Sequence, residues 1–399
     1  MSTRSGDVLP RAIRPEVRLL LYLARSHRDH ELAAPIADLL HQTIDWDFLI
    51  DTAGNHGTFP LLYRNLKLHE WECVSRDVRE RLRRLFLANA ARNHRLTFEL
   101  LNVLDVLNGH GIPAIPFKGP ILAVAAYGDV ALRQFEDLDI LIHREDAVRA
   151  KEALAARGYV SPYGLSPGLE TTVMRYQKHF LLVSPVTKTT VELHWTVEPV
   201  TNCRRFCDEH IWEHPGSVTV EGTSVPNLAP EDALVLLCLH GSSHCWDRLG
   251  WICDVAEHVA QTPIMHWELA VEQARDLGCR RMLYLGLAVA GRLVGLPLPE
   301  EIAAAALRYS GVEALTERIV DRLLFGPYEP TGTGAALSFR LATRESMEDK
   351  VRFVLERFVI PDALDCAFWR LPENLSFFFF VLRPVRLLLQ SFGKGRTAL

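Results

Sequence analysis

The chain has 399 residues, of which 48% are hydrophobic and 23% are charged. This composition indicates a globular protein of two or three structural units, and it excludes disordered, collagen-like and coiled-coil chains. Lysine and arginine number 44 against 49 for aspartate and glutamate, which leaves a net charge of −5. The chain therefore lacks the overall basic surplus with which a protein coats nucleic acid.

The N-terminal sequence lacks the uninterrupted apolar stretch of a secretory signal. No run of about 18 uncharged apolar residues predicts a membrane span. The nearest approach, residues 375–389, is interrupted by Arg383, Pro384 and Arg386. Eight cysteines stand at irregular spacing, which is typical of reduced thiols rather than of a disulfide framework. We expect a cytoplasmic protein.

Residues 14–110 are predicted to be helical. Near the end of this region leucines recur at steps of three and four, which makes one apolar stripe along a helix. They are Leu96, Leu100, Leu104 and Leu107. Gly109 and Gly111 follow the stripe, and glycine is the residue that most often ends a helix.

Short apolar strands and helices alternate after residue 112. Strands are predicted over 112–117, 138–142, 180–184 and 189–195, and helices over 121–127 and 147–157. From Pro230 to about residue 390 the chain is helical again, with breaks at 326–334 and near Pro361 and Pro372. The predicted fold class is therefore α+β. A small mixed-sheet core at 111–228 is flanked by an N-terminal helical region, 1–110, and a C-terminal helical domain, 229–399.

Three carboxylates stand on the predicted strands of this core. Asp137 and Asp139 are two residues apart, so an extended strand places both side chains on one face. Two like charges at one place are unfavourable unless a cation neutralises them, and carboxylate oxygens suit Mg²⁺. Glu192 lies on another predicted strand. Three acidic side chains on adjacent strands would hold two divalent ions, as phosphoryl-type transfer requires.

An Asp-x-Asp pair alone also occurs on solvated strand ends, so the combination of motifs carries the argument. In chain order the motifs are FKGPILAVAAYG, LRQFEDLDILIHRED, ALAARGYV, VELHW and LCLHGSSHCWDRLGWICD. Together they resemble the family of uncharacterised nucleotidyltransferases within the DNA-polymerase-beta-like superfamily. The resemblance covers about residues 85–260, with a looser helical similarity beyond.

The resemblance implies a nucleotidyltransferase core and a role for each matching residue. Lys118 and Gly119 would lie at the triphosphate, and Asp137 and Asp139 would bind metal. Glu192 would be the third carboxylate, beside the acceptor hydroxyl. The implied cofactor is Mg²⁺, with two ions expected and Mn²⁺ as a substitute. The implied partners are a nucleoside triphosphate (NTP) and an acceptor that is a small molecule, peptide or protein; nucleic acid is not expected.

Two residues depart from the usual pattern of that superfamily. The usual glycine-serine turn is here Lys118-Gly119-Pro120, which has no hydroxyl and one N–H donor fewer. Lys118 would supply a point charge to the phosphates instead. The third carboxylate is Glu192 where aspartate is more usual. A catalytically degenerate NTP-binding sensor or scaffold is therefore the alternative hypothesis.

Further candidates for nucleotide binding flank this motif. Arg133 precedes the acidic pair, and it would contact phosphate or pair with Glu136. His194 shares a strand face with Glu192 and would contact substrate, hold Glu192 by a hydrogen bond, or be a satisfied core histidine. His240 and His244 are four apart on a predicted helix.

The resemblance favours a position for these two histidines beside the nucleotide cleft. A zinc pair is the other interpretation, although no third ligand is evident. A second group of potential zinc ligands comprises Cys203, Cys207, His210 and His214. Its cysteine and histidine pairs are too close in sequence for a zinc finger, so an amphipathic surface helix is the preferred interpretation.

Two other stretches each have two interpretations. The first is an arginine cluster formed by Arg79, Arg81, Arg83, Arg84, Arg92 and Arg95. It is a solvated helix face or a positive wall that attracts triphosphate. The second is SFFFFVLRPVRLLLQ, residues 376–390. It is the last helix of the core or a segment that rests on a membrane or a partner.

Overall fold

The computed structural model describes residues 13–25, 32–68, 71–196, 210–326 and 330–393. Its N-terminal part is helical, as the sequence predicts. The helices are α1 (Pro15–Leu23), α2 (Ala33–Leu40), α3 (Trp46–Asn55), α4 (Phe59–Leu68) and α5 (Arg76–Gly109). The leucine stripe of α5 is confirmed, since Leu96, Leu100 and Leu107 are buried. Gly111 follows the helix with a φ of 65°, a conformation that glycine adopts without strain.

The sheet is mixed and has four strands. They are β1 (Ala114–Pro116), β2 (Asp137–Ile142), β3 (His179–Val183) and β4 (Thr190–His194). Their spatial order is β1-β2-β4-β3; β2 and β4 run parallel, and both edge strands pair antiparallel to their neighbours. The parallel pair requires a crossover connection, and the helix at Ala147–Ala155 lies within it.

The connecting helices of the core are α6 (Gly119–Tyr127), α7 (Ala147–Ala155) and α8 (Pro167–Tyr176). A short helix, α9 (His210–Glu213), precedes a two-stranded antiparallel hairpin of β5 (Gly216–Val220) and β6 (Thr223–Asn227). The hairpin packs against α6 and β1. The α+β prediction is confirmed, and every strand that the sequence predicts is present within two residues of its predicted ends.

The two faces of the four-stranded sheet have different chemistry because side chains alternate along each strand. Leu138, Ile140 and Ile142 are buried in a hydrophobic cluster with residues of α5 and α7. Asp137 and Asp139 lie at the alternate positions of the same strand and therefore on the opposite face. The sheet thus shields one face in an apolar core and presents its acidic residues on the other.

The C-terminal part of the chain is helical. Its helices are α10 (Pro230–Ser243), α11 (Leu249–Gln261), α12 (Trp267–Asp276), α13 (Arg280–Val294), α14 (Glu300–Arg308), α15 (Val312–Phe325), α16 (Thr333–Thr343), α17 (Met347–Phe358), α18 (Ala363–Trp369) and α19 (Phe379–Gly393). The predicted breaks are confirmed between α15 and α16, before α18 and before α19. Among the described helices, none combines the length and the apolar character that crossing a membrane requires.

A large hydrophobic cluster joins the N-terminal helices to the C-terminal ones. It includes Leu62 of α4, Leu234 of α10 and Leu285 of α13, all fully buried. Helix α6 packs against α11, so the helix that follows the Lys118 turn is held against the C-terminal helices. The acidic face of the sheet therefore adjoins the C-terminal helical region.

The last helix, α19, is only partly a core helix. Phe379 at its start is fully buried, whereas Val381 and Leu388 are exposed. The two arginines of this segment are buried instead of solvated: Arg383 and Arg386 both pair with Asp365 of α18. In α19, therefore, charged side chains occupy buried positions and several apolar side chains are exposed, which is not the pattern of a simple core helix.

Candidate functional site

The parallel pairing of β2 with β4 brings two of the predicted carboxylates together. Asp139 is the direct register partner of Glu192. Asp137, two residues earlier on β2, is the register partner of Thr190, two residues earlier on β4. Paired residues on adjacent strands point to the same face of a sheet. The structure therefore sets Asp137, Asp139 and Glu192 on one face, within about two residue steps of one another.

His194 bridges the two strands at this face. Its Nε2 lies 3.1 Å from Oδ1 of Asp139 and 3.0 Å from Oε2 of Glu192. A proton on Nε2 lets the imidazole donate to both carboxylates, and the ring is almost completely buried. Of the three interpretations of His194, the structure supports the one in which the side chain holds Glu192.

Lys118 supplies the positive charge closest to the acidic pair. Its Nζ lies 3.1 Å from Oδ1 of Asp139, and the side chain is 19% exposed. Burial by itself lowers the pKa of Lys118, but the carboxylates of Asp139 and Asp137 outweigh burial and raise it. The lysine predicted to contact phosphate is therefore charged and lies at the carboxylates.

The two aspartates differ in how well the protein neutralises them. Burial and the charge of Asp139 raise the pKa of Asp137. Against the effect of burial, the Lys118 ammonium and the hydrogen bond from His194 hold the pKa of Asp139 well below its usual range. Asp137 is thus the carboxylate that the chain's own cations neutralise least, and a bound cation would favour its charged form most.

The turn that carries Lys118 depends on Gly119. This glycine has a φ of +54°, and a Cβ at its position would lie 3.1 Å from the carbonyl oxygen of Asp137. The backbone N–H of Phe117 donates to the carbonyl oxygen of Asp139 at 3.2 Å, which ties the turn to β2. Only glycine lets the turn approach the acidic strand this closely without strain.

The sequence analysis missed one residue of the site, His179. Its Nε2 lies 3.9 Å from Oε2 of Glu192, and its ring centroid lies 4.8 Å from that of His194. Burial and His194 lower the pKa of His179 to about 3, which keeps it neutral. His179 is the register partner of His194 on β3, a pairing that the sequence alone does not reveal.

The residues present fit a divalent cation. Asp137, Asp139 and Glu192 offer hard oxygen ligands on one face, which is the chemistry that Mg²⁺ prefers. Potential ligand atoms of His179, Glu192 and His194 also lie within 4.8 Å of one another. Imidazole nitrogens suit Mn²⁺ or Zn²⁺ better than Mg²⁺. Glu192 belongs to both groups of ligands.

Arg133 is engaged with the C-terminal helices. Its Nε and Nη2 donate to the two carboxylate oxygens of Asp254 on α11, each at 2.9 Å, and the hydroxyl of Tyr127 donates to the same carboxylate at 2.8 Å. Glu136, the other partner considered for Arg133, lies closest to Arg92 instead, at 3.8 Å. The phosphate contact of Arg133 stays a prediction.

His240 and His244 form an aromatic group with Trp251 near the Lys118 turn. The two imidazole centroids are 4.6 Å apart and lie 5.5 and 5.1 Å from the Trp251 ring. Burial and, after it, the charge of Lys118 hold the pKa of His240 well below its usual range. His244 lies just past the end of α10, because the chain turns away there through left-handed Cys245.

The remaining sequence candidates add nothing to the site among the described residues. Four of the clustered arginines pair with acidic residues: Arg79 with Glu72, Arg81 with Asp47 and Asp51, Arg83 with Glu80, and Arg92 with Glu136. That pairing supports a solvated helix face. In the Cys203–His214 group, Cys203 and Cys207 lie outside the residues that the structure describes.

Comparison with known proteins places the site in a family context. A family model described as uncharacterised nucleotidyltransferase matches residues 42–295, which is more than half of the chain. The matched region runs from just before α3 to the end of α13 and contains the whole acidic site. No curated protein and no solved structure matches the chain.

Proposed function

Because the chain belongs to the family of uncharacterised nucleotidyltransferases, we propose that it transfers a nucleotidyl group from an NTP, with Mg²⁺, to a hydroxyl or phosphate of an acceptor. The acceptor would be a small molecule, a peptide or a protein. The observation that carries the proposal is the pairing of Asp139 with Glu192 across two parallel strands, with Asp137 on the same face.

The proposed roles follow from position and charge. Asp137, Asp139 and Glu192 would hold the metal, which would neutralise the triphosphate and acidify the attacking hydroxyl. Lys118 and Gly119 would bind the phosphates, and His240 and His244 would bind the nucleotide beside them. His194 would be a positioning residue, since it holds both Asp139 and Glu192 in place.

For a hydroxyl acceptor, the chemistry is an in-line displacement at the α-phosphorus. The acceptor oxygen forms a bond to phosphorus while the bond to the pyrophosphate oxygen breaks. The hydroxyl proton passes to the carboxylate of Glu192, and pyrophosphate leaves with the electron pair of the broken bond. Phosphoryl-type transfer depends mainly on positioning and charge neutralisation, which is what this set of residues offers.

The test is the double variant Asp137→Asn, Asp139→Asn, assayed for pyrophosphate release and for label transfer from each labelled NTP with Mg²⁺. We expect a loss of about 100-fold or more, because the amides retain the shape but not the charge of the carboxylates. The matched control is Glu136→Gln, since Glu136 adjoins Asp137 but its side chain is 86% exposed. Equal turnover by wild type and the double variant would contradict the proposal.

A second candidate function is an NTP-binding sensor or scaffold without turnover. The observation that favours it is that Oδ1 of Asp139 already contacts both Lys118 and His194, each at 3.1 Å. Calorimetry with each NTP and Mg²⁺ separates the two functions. Metal-dependent binding without pyrophosphate release in the presence of acceptors would favour the sensor, whereas product formation would exclude it.

A further inference from the structure

A cavity of about 130 Å³ lies at the outer edge of β3, between that strand and helices α8 and α18. Its polar lining includes Ser161, Tyr163, Glu170, His179 and Asp362. Its apolar lining includes Phe180 and Leu181 from β3 itself and Ala363 from α18. This is the scale of one small ring, since a cavity of about 150 Å³ holds a benzene molecule.

The cavity adjoins the acidic site through one residue. His179 lines the cavity, and its Nε2 lies 3.9 Å from Oε2 of Glu192. Tyr163 also lines the cavity, and burial and the charges of Asp362 and Glu192 raise its pKa. A molecule in the cavity would therefore contact His179, the side chain that links the cavity to the carboxylate assigned to the acceptor hydroxyl under the proposed function.

The edge of β3 offers backbone groups to such a molecule. Val183 directs its N–H and C=O away from β4, because both bond to Val160. Antiparallel pairing alternates these directions along the strand, so Leu181 and His179 point their backbone groups the same way, toward the cavity. A polar ligand with several hydroxyls would pair with these groups.

The lining of the cavity favours a neutral or amine-bearing occupant over an anion, because its only charged members in the described part of the chain are carboxylates. Glu170 and Asp362 line it, and no lysine or arginine lines it among the described residues. The cations that pair with these carboxylates, Lys151 for Glu170 and Arg383 and Arg386 for Asp362, stand outside the lining. The cavity therefore presents carboxylate oxygens that accept hydrogen bonds from hydroxyl or amine groups, and the residues described in its lining offer no cation to a phosphate.

We propose that this cavity binds the acceptor, and that the acceptor is a small polyhydroxylated ring that is uncharged or carries an amine. This inference rests on the proposed function and narrows it: the acceptor group that attacks the α-phosphorus is a hydroxyl rather than a phosphate. The part of the acceptor that enters the site is a sugar-like ring rather than a peptide chain.

Ligand-observed saturation-transfer NMR on the full chain tests the cavity without requiring turnover. The probes are glucose, glucosamine and glucose 6-phosphate, which share one ring and differ in charge. We expect glucose and glucosamine to bind and glucose 6-phosphate to bind at least about tenfold more weakly. Equal binding of all three would contradict the expected discrimination against an anionic acceptor. If none of the three binds, the proposal that the cavity binds a sugar-like ring is wrong.

The location is tested with Ala363→Phe, which fills the cavity from α18. The matched control is Ala367→Phe, one turn along the same helix, because Ala367 does not line this cavity. We expect Ala363→Phe to lower the transfer signal about tenfold or more and Ala367→Phe to preserve it. Ser161→Phe fills the cavity from another wall and replaces Ala363→Phe if that variant does not fold. An equal effect of the filling and control variants would overturn the assignment.

Acceptor-stimulated pyrophosphate release separates this inference from the proposed function. If the rings bind in the cavity and no NTP turnover occurs with any acceptor, the proposed function fails and the cavity assignment stands. If turnover occurs and Ala363→Phe leaves its acceptor dependence unchanged, the cavity assignment fails and the proposed function stands.

Discussion

Gly119 and His194 are the residues on which the geometry of the site depends most directly. Gly119 lets the Lys118 turn approach the backbone of Asp137, and His194 joins Asp139 to Glu192 by hydrogen bonds. Neither residue takes part directly in a chemical step. Both residues set the distances between charged groups, and under the proposed function those distances would decide how strongly a cation and a triphosphate bind.

The substitution Gly119→Ala tests the turn. An alanine at a φ of +54° is strained by about 1–2 kcal/mol, and its Cβ would press on the Asp137 carbonyl at 3.1 Å. We expect Mg²⁺–NTP affinity, measured by calorimetry, to fall about tenfold. The control is Gly128→Ala at the end of the same helix, where φ is +72° and nothing lies within 4 Å. Unchanged affinity in Gly119→Ala would refute the role of the turn.

At the scale of elements, α10 and α11 meet in a corner that depends on Trp246. Cys245 and Trp246 both have a left-handed backbone, with φ of 57° and 54°, which turns the chain from one helix toward the other. Trp246 is fully buried against Gly241 of α10, and its indole N–H donates to the Ser242 hydroxyl at 3.2 Å. The corner places His240 and Trp251 beside the acidic face.

Gly241→Ala should destabilise this corner. Its Cβ would lie 2.4 Å from the Trp246 ring, and a fully buried ring has no room to move. We expect a loss of about 1–3 kcal/mol in the free energy of unfolding, measured by denaturant titration. Gly109→Ala is the control, because it is also helical but has nothing within 4 Å, so it should be neutral or slightly stabilising. Similar losses in both variants would contradict this packing argument.

The buried pair of Arg133 and Asp254 joins the approach to β2 to α11. Asp254→Asn removes the charge that compensates the guanidinium. We therefore expect the free energy of unfolding, measured by urea titration, to fall by about 3–5 kcal/mol. Arg133→Met combined with Asp254→Leu should recover part of that loss, since no buried charge remains. Glu80→Gln, at an exposed pair with Arg83, should change little. An effect of Asp254→Asn as small as that of Glu80→Gln would contradict the structural role.

At the scale of the whole molecule, the N-terminal helices are part of the structure that supports the site. The backbone N–H of Gly250 donates to the carbonyl of His56 at 2.8 Å, and the N–H of Leu249 donates to its Nδ1 at 3.3 Å. These bonds link the end of α3 to the start of α11. The family match begins at residue 42, just before α3, and both α3 and α4 pack into the large cluster with the C-terminal helices.

His56 makes this contact sensitive to acid. Burial and the charge of Arg248 lower its pKa from 6.5 to about 4, so the unfolded chain takes up a proton at His56 before the folded chain does. Its contribution to stability is therefore complete above pH 6.5 and is lost as the pH falls toward 4. Between pH 7 and pH 5 the loss is about 2 kcal/mol.

The variant His56→Asn keeps an acceptor for Leu249 but does not titrate in this range. We expect the decrease in Tm between pH 7 and pH 5 to be smaller in His56→Asn than in wild type. His41→Asn, at an exposed histidine, should follow the wild-type profile. Identical profiles for wild type and His56→Asn would show that this contact does not carry the acid sensitivity.

Periodicity and spacing by themselves predicted the strands of the four-stranded sheet and most of the helices of this protein. The alternation of β2 set Asp137 and Asp139 on one face, and the motif order identified the family. Local patterns suffice for these features because strand faces and turn residues depend on neighbours in sequence. The division into regions 1–110, 111–228 and 229–399 stays a prediction.

Only the tertiary structure decided which charged and polar side chains pair with one another. In the structure Arg133 pairs with Asp254, and Lys118 lies beside Asp139. His179 lies next to Glu192, and the arginines of α19 are buried while several of its apolar side chains are exposed. These pairs join residues far apart in the chain, and their charges interact strongly because folding brings them together where little water screens them. A local sequence pattern does not indicate which distant residues will lie close together after folding.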